Sequence, residues 1–307
     1  MQDDGLDPEI RAFRDEILSA YCTQGAPRDL AHRRSIAEAV RAPWTAGGPS
    51  MHETHDLEVA GVRCRLHLPS NEPDLPVLVY LHGGGWTIFS IDTHDRLMRE
   101  YAAAAGCAVL GVDYSLSPEV RFPVALRESV AVVQALPTLA DTFPIDASRI
   151  AVGGDSAGAN LAVGTALLCR DAGVHLAGML LSYGAFDTER RASHARYGSD
   201  DYILNAEEMD AFWADYLKDE DRANPLARPL LADLRGLPPA FLCIAQCDVL
   251  SDENRAMRDR LADAGVAVEA VVYPGATHSF LEAARVSSLA RRAIGDAGSW
   301  LARILEA

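Results

Sequence analysis

The side chains able to do chemistry in this chain fall at a few points with telling neighbours. The first is Gly154-Asp155-Ser156-Ala157-Gly158, which follows the apolar run RIAVGG (149–154) and opens the helical pattern AGANLAVGTALL. A G-x-S-x-G string arises by chance in about one chain in ten of this length, so the string alone decides little. Its setting decides more. A strand that turns sharply into a helix lifts a serine hydroxyl off the sheet, and glycines on either side let backbone and helix approach without a Cβ clash. The helix N-terminus adds positive potential beside the hydroxyl. An ordinary glycine-rich turn is the plain alternative. The second point is His82-Gly83-Gly84-Gly85-Trp86, directly after the apolar run VLVYL (77–81). Unobstructed backbone N–H groups on such a run can hold the negative charge that develops on a carbonyl oxygen during acyl transfer. The spacing fits neither G-x-G-x-x-G nor a P-loop, and no lysine follows, so a phosphate cradle is set aside.

A serine hydroxyl needs a base, and the base needs an acid to orient it. Three histidines follow Ser156: His175, His194 and His278. His278 comes after the strand pattern VEAVVY (268–273) and the turn Pro274-Gly275, which puts it at the same sheet edge as Ser156. His175 precedes a strand, and His194 lies in a long interval between strands. The acid is expected after AFLCIA (240–245), where Asp248, Asp252 and Glu253 all stand. Asp248 is nearest the strand end and is favoured. Asp252 and Glu253 read as first-turn residues of the next helix, offsetting its dipole. His52-Glu53-Thr54-His55 is one residue short of the zinc motif H-E-x-x-H, so its histidines would not share a helix face, and no metal is expected.

These points must be positioned by strands and helices. The runs at 77–81, 107–112, 149–154, 178–183, 240–245 and 268–273 are mostly apolar rather than alternating, broken by Arg149 and Glu269, and predict strands covered on both faces. Helical patterns at 94–105, 120–136, 157–171, 252–264 and 286–305 alternate with them, and the alternation predicts a mostly parallel sheet with helices on both sides. Alternating residues on either side of Ala60-Gly61 predict a hairpin over 57–68. Asp7-Pro8 reads as a helix start, followed by Ile10, Phe13, Ile17, Leu18 and Tyr21 at helical spacing. A second helix is expected over about 29–42, stopping before Pro43. Residues 1–50 then form an N-terminal helical cap element, and 51–307 form the catalytic domain. The interval from Tyr183 to Ala240 is too long for a simple crossover and predicts a helical cap insertion at about 187–222.

Composition excludes several classes. Hydrophobic residues make up 49% and the net charge is -16, with a sequence pI of about 4.9. Such a surface repels phosphate backbones and anionic lipid, so neither nucleic acid nor a membrane is an expected partner. The acidic start MQDDGLDPEI does not read as a secretory signal, and no stretch of 18 apolar residues occurs. Six scattered cysteines form no metal-site spacing and fit a reducing cytoplasm. A homo-oligomer is allowed but not fixed.

The motifs HGGGW (82–86), DYSLSPEVRFP (113–123), GDSAG (154–158), CDVLSD (247–252) and HSF (278–280) resemble those of the bacterial hormone-sensitive-lipase-like esterases over about Val77 to Phe280. SIDTHDRLMR (90–99) and YPGATHSF (273–280) look most like the acetyl-esterase branch. The resemblance implies an α/β-hydrolase fold with an eight-stranded sheet and a helical cap. It implies hydrolysis of small-molecule esters with short, acetyl-like acyl groups, without a cofactor. Ser156, Asp248 and His278 would be the triad. The oxyanion donors would come from the glycine run, Gly83 to Gly85 and chiefly Gly83 and Gly84, with Ala157. Trp86 would wall the acyl side, and Trp213, with Phe212 and Tyr216, would either close the top of the site or dock the cap. The chain departs from the family at Val249, Ser279, Ser115 and Ser117, none of which removes a group the chemistry uses. An amidase or formamidase is the rival among enzymes. A non-catalytic binding module, such as the related plant gibberellin receptors that lost the histidine, is the rival outside them, and the presence of His278 argues against it.

Overall fold

A computed structural model describes residues 5–306; Met1–Asp4, the start of the acidic N-terminal stretch, and Ala307 lie outside the described residues. The chain runs α1 (Pro8–Gln24), α2 (Leu30–Thr45), β1 (Glu53–Val59), β2 (Val62–Leu68), β3 (Leu75–Leu81), α3 (Asp95–Ala105), β4 (Ala108–Val112), α4 (Val124–Ala140), β5 (Ile145–Asp155) and α5 (Ala157–Asp171). It continues through β6 (Gly178–Ser182), α6 (Ala192–Tyr197), α7 (Ala206–Tyr216), β7 (Ala240–Cys247), α8 (Ser251–Asp263), β8 (Val268–Thr277) and α9 (Ser288–Glu306). The strands form one eight-stranded sheet in the order β1-β2-β4-β3-β5-β6-β7-β8. β1 and β2 pair antiparallel, as do β2 and β4, and every later pairing is parallel. Ala60 and Gly61 both take positive φ, which a two-residue hairpin turn requires.

Burial on both faces follows from the pleat. Along β3, Val77, Val79 and Leu81 enter one core with Leu126 of α4, Leu161 of α5 and Met257 of α8, while Leu78 and Tyr80 enter another with Met98 of α3 and Leu301 of α9. The strand order places the site. β3 and β5 pair up to Leu81 and Gly154, but the chain leaves β3 toward β4 and leaves β5 toward β6, on opposite sides, so a crevice opens above their carboxyl ends at a topological switch point. His82 leaves the end of β3, and Ser156 leaves the end of β5. Asp248 and His278 directly follow β7 and β8 at the same edge.

The N-terminal helices divide their apolar stripe. Asp7 caps α1, its Oδ1 accepting from Glu9 N–H at 2.9 Å, and Ile10, Phe13 and Ile17 enter the second core. α2 does not stop before Pro43 but runs to Thr45. The proline sits in the last turn, and packing holds that turn. Trp44 is buried edge-on against Phe13 at 4.6 Å, and Arg285 lies over its ring at 4.8 Å. α4 starts four residues later than its pattern suggests, because Pro123 occupies the N-cap position. The interval between β6 and β7 holds α6, α7 and two 3₁₀ turns, Asp219–Asp221 and Pro229–Leu231, and is otherwise irregular.

Candidate active site

Ser156 sits in a strained elbow with φ 53 and ψ -119, a region L side chains rarely occupy. Its neighbours hold it there. Ser156 N–H donates to Ser182 O at 2.9 Å, and its carbonyl accepts from Ala185 N–H at 3.2 Å. A Cβ on Gly158 would overlap the carbonyl of Leu81, so the crossing of α5 over β3 demands glycine there. The hydroxyl meets His278: Nε2 lies 3.0 Å from Ser156 Oγ, and Nδ1 lies 2.8 Å from Asp248 Oδ2. Asp248 is 1% exposed, and its other oxygen accepts from Leu250 N–H at 3.0 Å. That leaves Nδ1–H donating to the carboxylate and Nε2 free to accept the serine proton. Burial alone would pull the His278 pKa down; the Asp248 charge and hydrogen bond reverse this and raise it above the usual histidine value.

The other candidate acids point elsewhere. Asp252 accepts from Ser193 N–H at 2.8 Å and holds the start of α6. Glu253 is fully buried, accepts from Phe186 N–H at 2.8 Å, and has its pKa pushed well up by burial. His194 bonds to the backbone of Arg191 within its own segment. His55 pairs with Glu53 on exposed β1, and among the described residues no three His, Cys, Asp or Glu side chains gather as metal ligands.

The glycine loop corrects one expectation. Gly83 N–H is not available to a substrate, because it donates to Asp155 Oδ1 at 3.0 Å. Gly84 and Gly85 line the cavity beside Ser156 and His278, and their N–H groups have no partner among the described residues. Ala157, first residue of α5, carries one of the N–H groups that a helix start leaves unpaired. The amides left as candidate donors are those of Gly84, Gly85 and Ala157. Gly84 takes φ 113, and its carbonyl accepts from Thr87 and Ile88 N–H, both at 3.0 Å.

The tryptophans correct a second. Neither Trp86 nor Trp213 lines the cavity of about 430 Å³ that contains Ser156. Trp86 is wholly buried, stacked on Tyr216 at 4.2 Å and 4.5 Å from Trp213. These rings anchor α7 to the glycine loop. The cavity wall comes instead from Phe212 and Met209 of α7, Leu204 before it, Ile88 and Phe89 after the loop, and Leu18 and Tyr21 of α1. Phe212 packs directly on Gly85. Because Trp86 fills a core, Trp86→Ala is expected to cost about 3–5 kcal/mol of stability, measured by denaturant unfolding. A loss under 1 kcal/mol would contradict this placement.

Sequence reasoning missed two buried groups. Arg41 of α2 lines the cavity and pairs with Glu282 at 2.8 Å, both nearly inaccessible. Asp155 collects Tyr80, Gly83 and His94. A signal existed for the second, since a carboxylate directly before a sheet-buried serine needs a partner.

A family model described as the alpha/beta hydrolase fold matches residues 78–282. The chain belongs to the α/β-hydrolase family. Within it, this hydrolase is 36% identical over 280 residues to an acetyl esterase of Salmonella choleraesuis, covering 88% of this chain and 86% of that one. A solved hyperthermophilic esterase from the archaeon Pyrobaculum calidifontis superposes with a TM-score of 0.91 at 31% identity, covering 98% of this chain and 99% of that one. An alpha/beta hydrolase enzyme from the metagenome of Lake Arreo, Spain, gives 0.90 at 34%, covering 99% of each. These similarities bear out the resemblance to hormone-sensitive-lipase-like esterases and the α/β-hydrolase fold. Among the described residues no helix of this hydrolase is long and apolar enough to cross a membrane.

Proposed function

We propose that the protein is a serine carboxylesterase that hydrolyses small-molecule esters with short, acetyl-like acyl groups. The observation carrying this reading is the continuous chain Asp248–His278–Ser156, at 2.8 and 3.0 Å, opening beside the unpaired amides of Gly84 and Gly85. His278 Nε2 takes the Ser156 proton as Oγ attacks the ester carbonyl. The developing oxyanion is held by the N–H groups of Gly84, Gly85 and Ala157. The tetrahedral species collapses as His278 returns the proton to the leaving alcohol. Water, activated by the same base, then releases the acid and restores Ser156. The acetyl esterase and esterase names of the similar proteins support the reaction class. The helices α1 and α2 and the 187–222 segment act as the cap, since α1 and α7 supply cavity walls. No disulfide joins cysteines among the described residues, which supports a cytoplasmic setting.

A cavity of about 430 Å³ exceeds what an acetyl group fills, so it accommodates the alcohol part as well. Hydrolysis of p-nitrophenyl esters across acyl lengths, beside a matched anilide, tests the reading. Each methylene that fits an open apolar tunnel would help by about 0.8 kcal/mol. A closed wall makes kcat/KM fall beyond about four to six carbons instead, and a drop there is expected, with the anilide far slower. Undiminished rates on decanoyl esters would sink the short-acyl claim, and a faster anilide would favour the amidase. Phe212→Ala is expected to extend the acyl range, because that ring walls the cavity beside Gly85.

Two further outcomes follow from the geometry. A Cβ on Gly84 would overlap the carbonyl of Ile88, so Gly84→Ala displaces the donor loop. Its kcat is expected to fall by about a hundredfold or more, as the loss of one oxyanion donor does; a folded variant within threefold of wild type would remove Gly84 from the role. The base acts only when neutral, and the folded protein raises its pKa. Activity should therefore climb through one ionisation lying above about 6.5, the ordinary histidine value. A kcat/KM profile already flat from about pH 5 upward would exclude a raised histidine base.

A further inference from the structure

The proton-transfer chain leaves a second buried charge unexplained. Asp155, one residue before Ser156, is 2% exposed, and three groups converge on its Oδ1: Tyr80 Oη–H at 2.8 Å, Gly83 N–H at 3.0 Å and His94 Nε2 at 3.4 Å. A carboxylate held out of water is costly unless a positive charge answers it. Two imidazoles face it. His82, stacked on Tyr114 at 4.3 Å, is pushed down to about 4 by burial and by the charge of His94, and so stays neutral.

The groups around His94 bear on its charge. Thr93 Oγ1 lies 2.8 Å from Ser90 O and 2.9 Å from His94 Nδ1, and its one proton serves only one of them; with Ser90 O, which can only accept, taking it, Nδ1 supplies the proton of the other contact. Nδ1 also faces Ser90 O at 3.3 Å, which can only accept. On the other side Nε2 faces the carboxylate, which also accepts only when ionised. With Nδ1 beside two oxygens and Nε2 3.4 Å from a carboxylate, the surroundings favour a proton on each ring nitrogen, which makes the ring an imidazolium. The remaining groups near it are Glu282, Glu38 and the Tyr80 phenol.

We propose that His94 is a buried imidazolium whose charge holds Asp155 ionised, so that Asp155 fixes the Gly83 amide and thereby aims the Gly84 and Gly85 amides at the reacting carbonyl. His94 and Asp155 touch no substrate; they are positioning residues that tie the glycine loop at the end of β3 to the elbow at the end of β5. This rests on the esterase reading of Ser156. The pair answers a problem the switch point creates: the loops that leave β3 and β5 run to opposite sides, and the oxyanion donors come from both. Burial would neutralise His94, but the Asp155 charge overrides it and raises its pKa, and His94 lowers that of Asp155 in return.

The test compares wild type, His94→Gln and His94→Gln/Asp155→Asn on p-nitrophenyl acetate, with rates divided by the sites titrated with a fluorophosphonate. In His94→Gln the carboxylate loses its counter-charge. Its kcat per titrated site should fall tenfold or more while KM stays within threefold, because the loop acts on the transition state. Asparagine keeps the acceptor for Tyr80 and Gly83 without the charge, so the double variant should regain at least threefold over the single one. A single variant within threefold of wild type, or a double variant no faster than the single, overturns the proposal. If His94→Gln does not fold, recovery of folding in the double variant supports the charge pairing, and a double variant that also fails overturns it. Nitrogen-15 imidazole spectra of the wild type read the charge without turnover. Apart from His278, one histidine should keep both nitrogens protonated at pH 7.5. Its absence overturns the proposal even in an active enzyme, whereas its presence in an inert protein sinks only the esterase reading.

Discussion

Ser156→Ala is expected to abolish ester turnover while leaving the fold intact. Removing the nucleophile of a serine protease costs roughly a millionfold in kcat, leaving a residue due to the oxyanion donors and binding. The same loss is expected here, because Ser156 Oγ is the group His278 Nε2 contacts at 3.0 Å. The substitution trims one oxygen from a side chain only 5% exposed, and the elbow is held by backbone bonds to Ser182 and Ala185 that alanine keeps. The variant should therefore unfold near the wild-type midpoint. A folded Ser156→Ala retaining more than a few per cent of activity would mean that another group attacks the ester.

Asp248→Asn carries the second largest expected effect. The carboxylate accepts the Nδ1–H of His278, which keeps the lone pair of Nε2 facing the serine. Asparagine can turn an N–H toward Nδ1 and favour the wrong tautomer, a change worth about ten-thousandfold in the template case. The acid limb of the pH profile should also move down, since the Asp248 charge and hydrogen bond are the main raisers of the His278 pKa. Asp252→Asn provides the contrast. Asp252 holds Ser193 N–H and stands in the first turn of α8, so its loss should cost about 0.3–1 kcal/mol of stability and little rate. Kinetics of the two purified variants at one pH decide, and the reverse ranking would overturn the assignment of the acid.

What was legible in the sequence was what depends on neighbours along the chain. The strand–turn–helix around Ser156 is local, and so is the position of His278 after its strand, because apolar runs mark the strands, although β8 continues through Pro274-Gly275 to Thr277 and its first half, at the sheet edge, is only partly buried. Asp248 over Asp252 was legible for the same reason. The donors of the glycine loop were not. Whether Gly83 N–H is free depends on Asp155, 72 residues away in the chain, and no spacing encodes that bond. The roles of the aromatic residues were lost in the same way. Phe212, Trp213 and Tyr216 share a helix, yet Phe212 faces the cavity while the other two pack on Trp86, a division set by the angle at which α7 meets the loop. The end of α2 at Thr45 is not legible in the sequence, because proline chemistry is local but the packing of Trp44 that carries the helix past Pro43 is not.

Treatment with a fluorophosphonate, followed by peptide mass analysis, tests the central claim most directly. A serine activated by His278 and faced by Gly84, Gly85 and Ala157 should take up one phosphonyl group per chain, on the peptide containing Ser156. Activity on p-nitrophenyl acetate should fall in proportion to the fraction labelled, and Ser156→Ala should take up none. An active protein whose Ser156 stays unlabelled, or whose label sits elsewhere while activity is lost, would contradict the account.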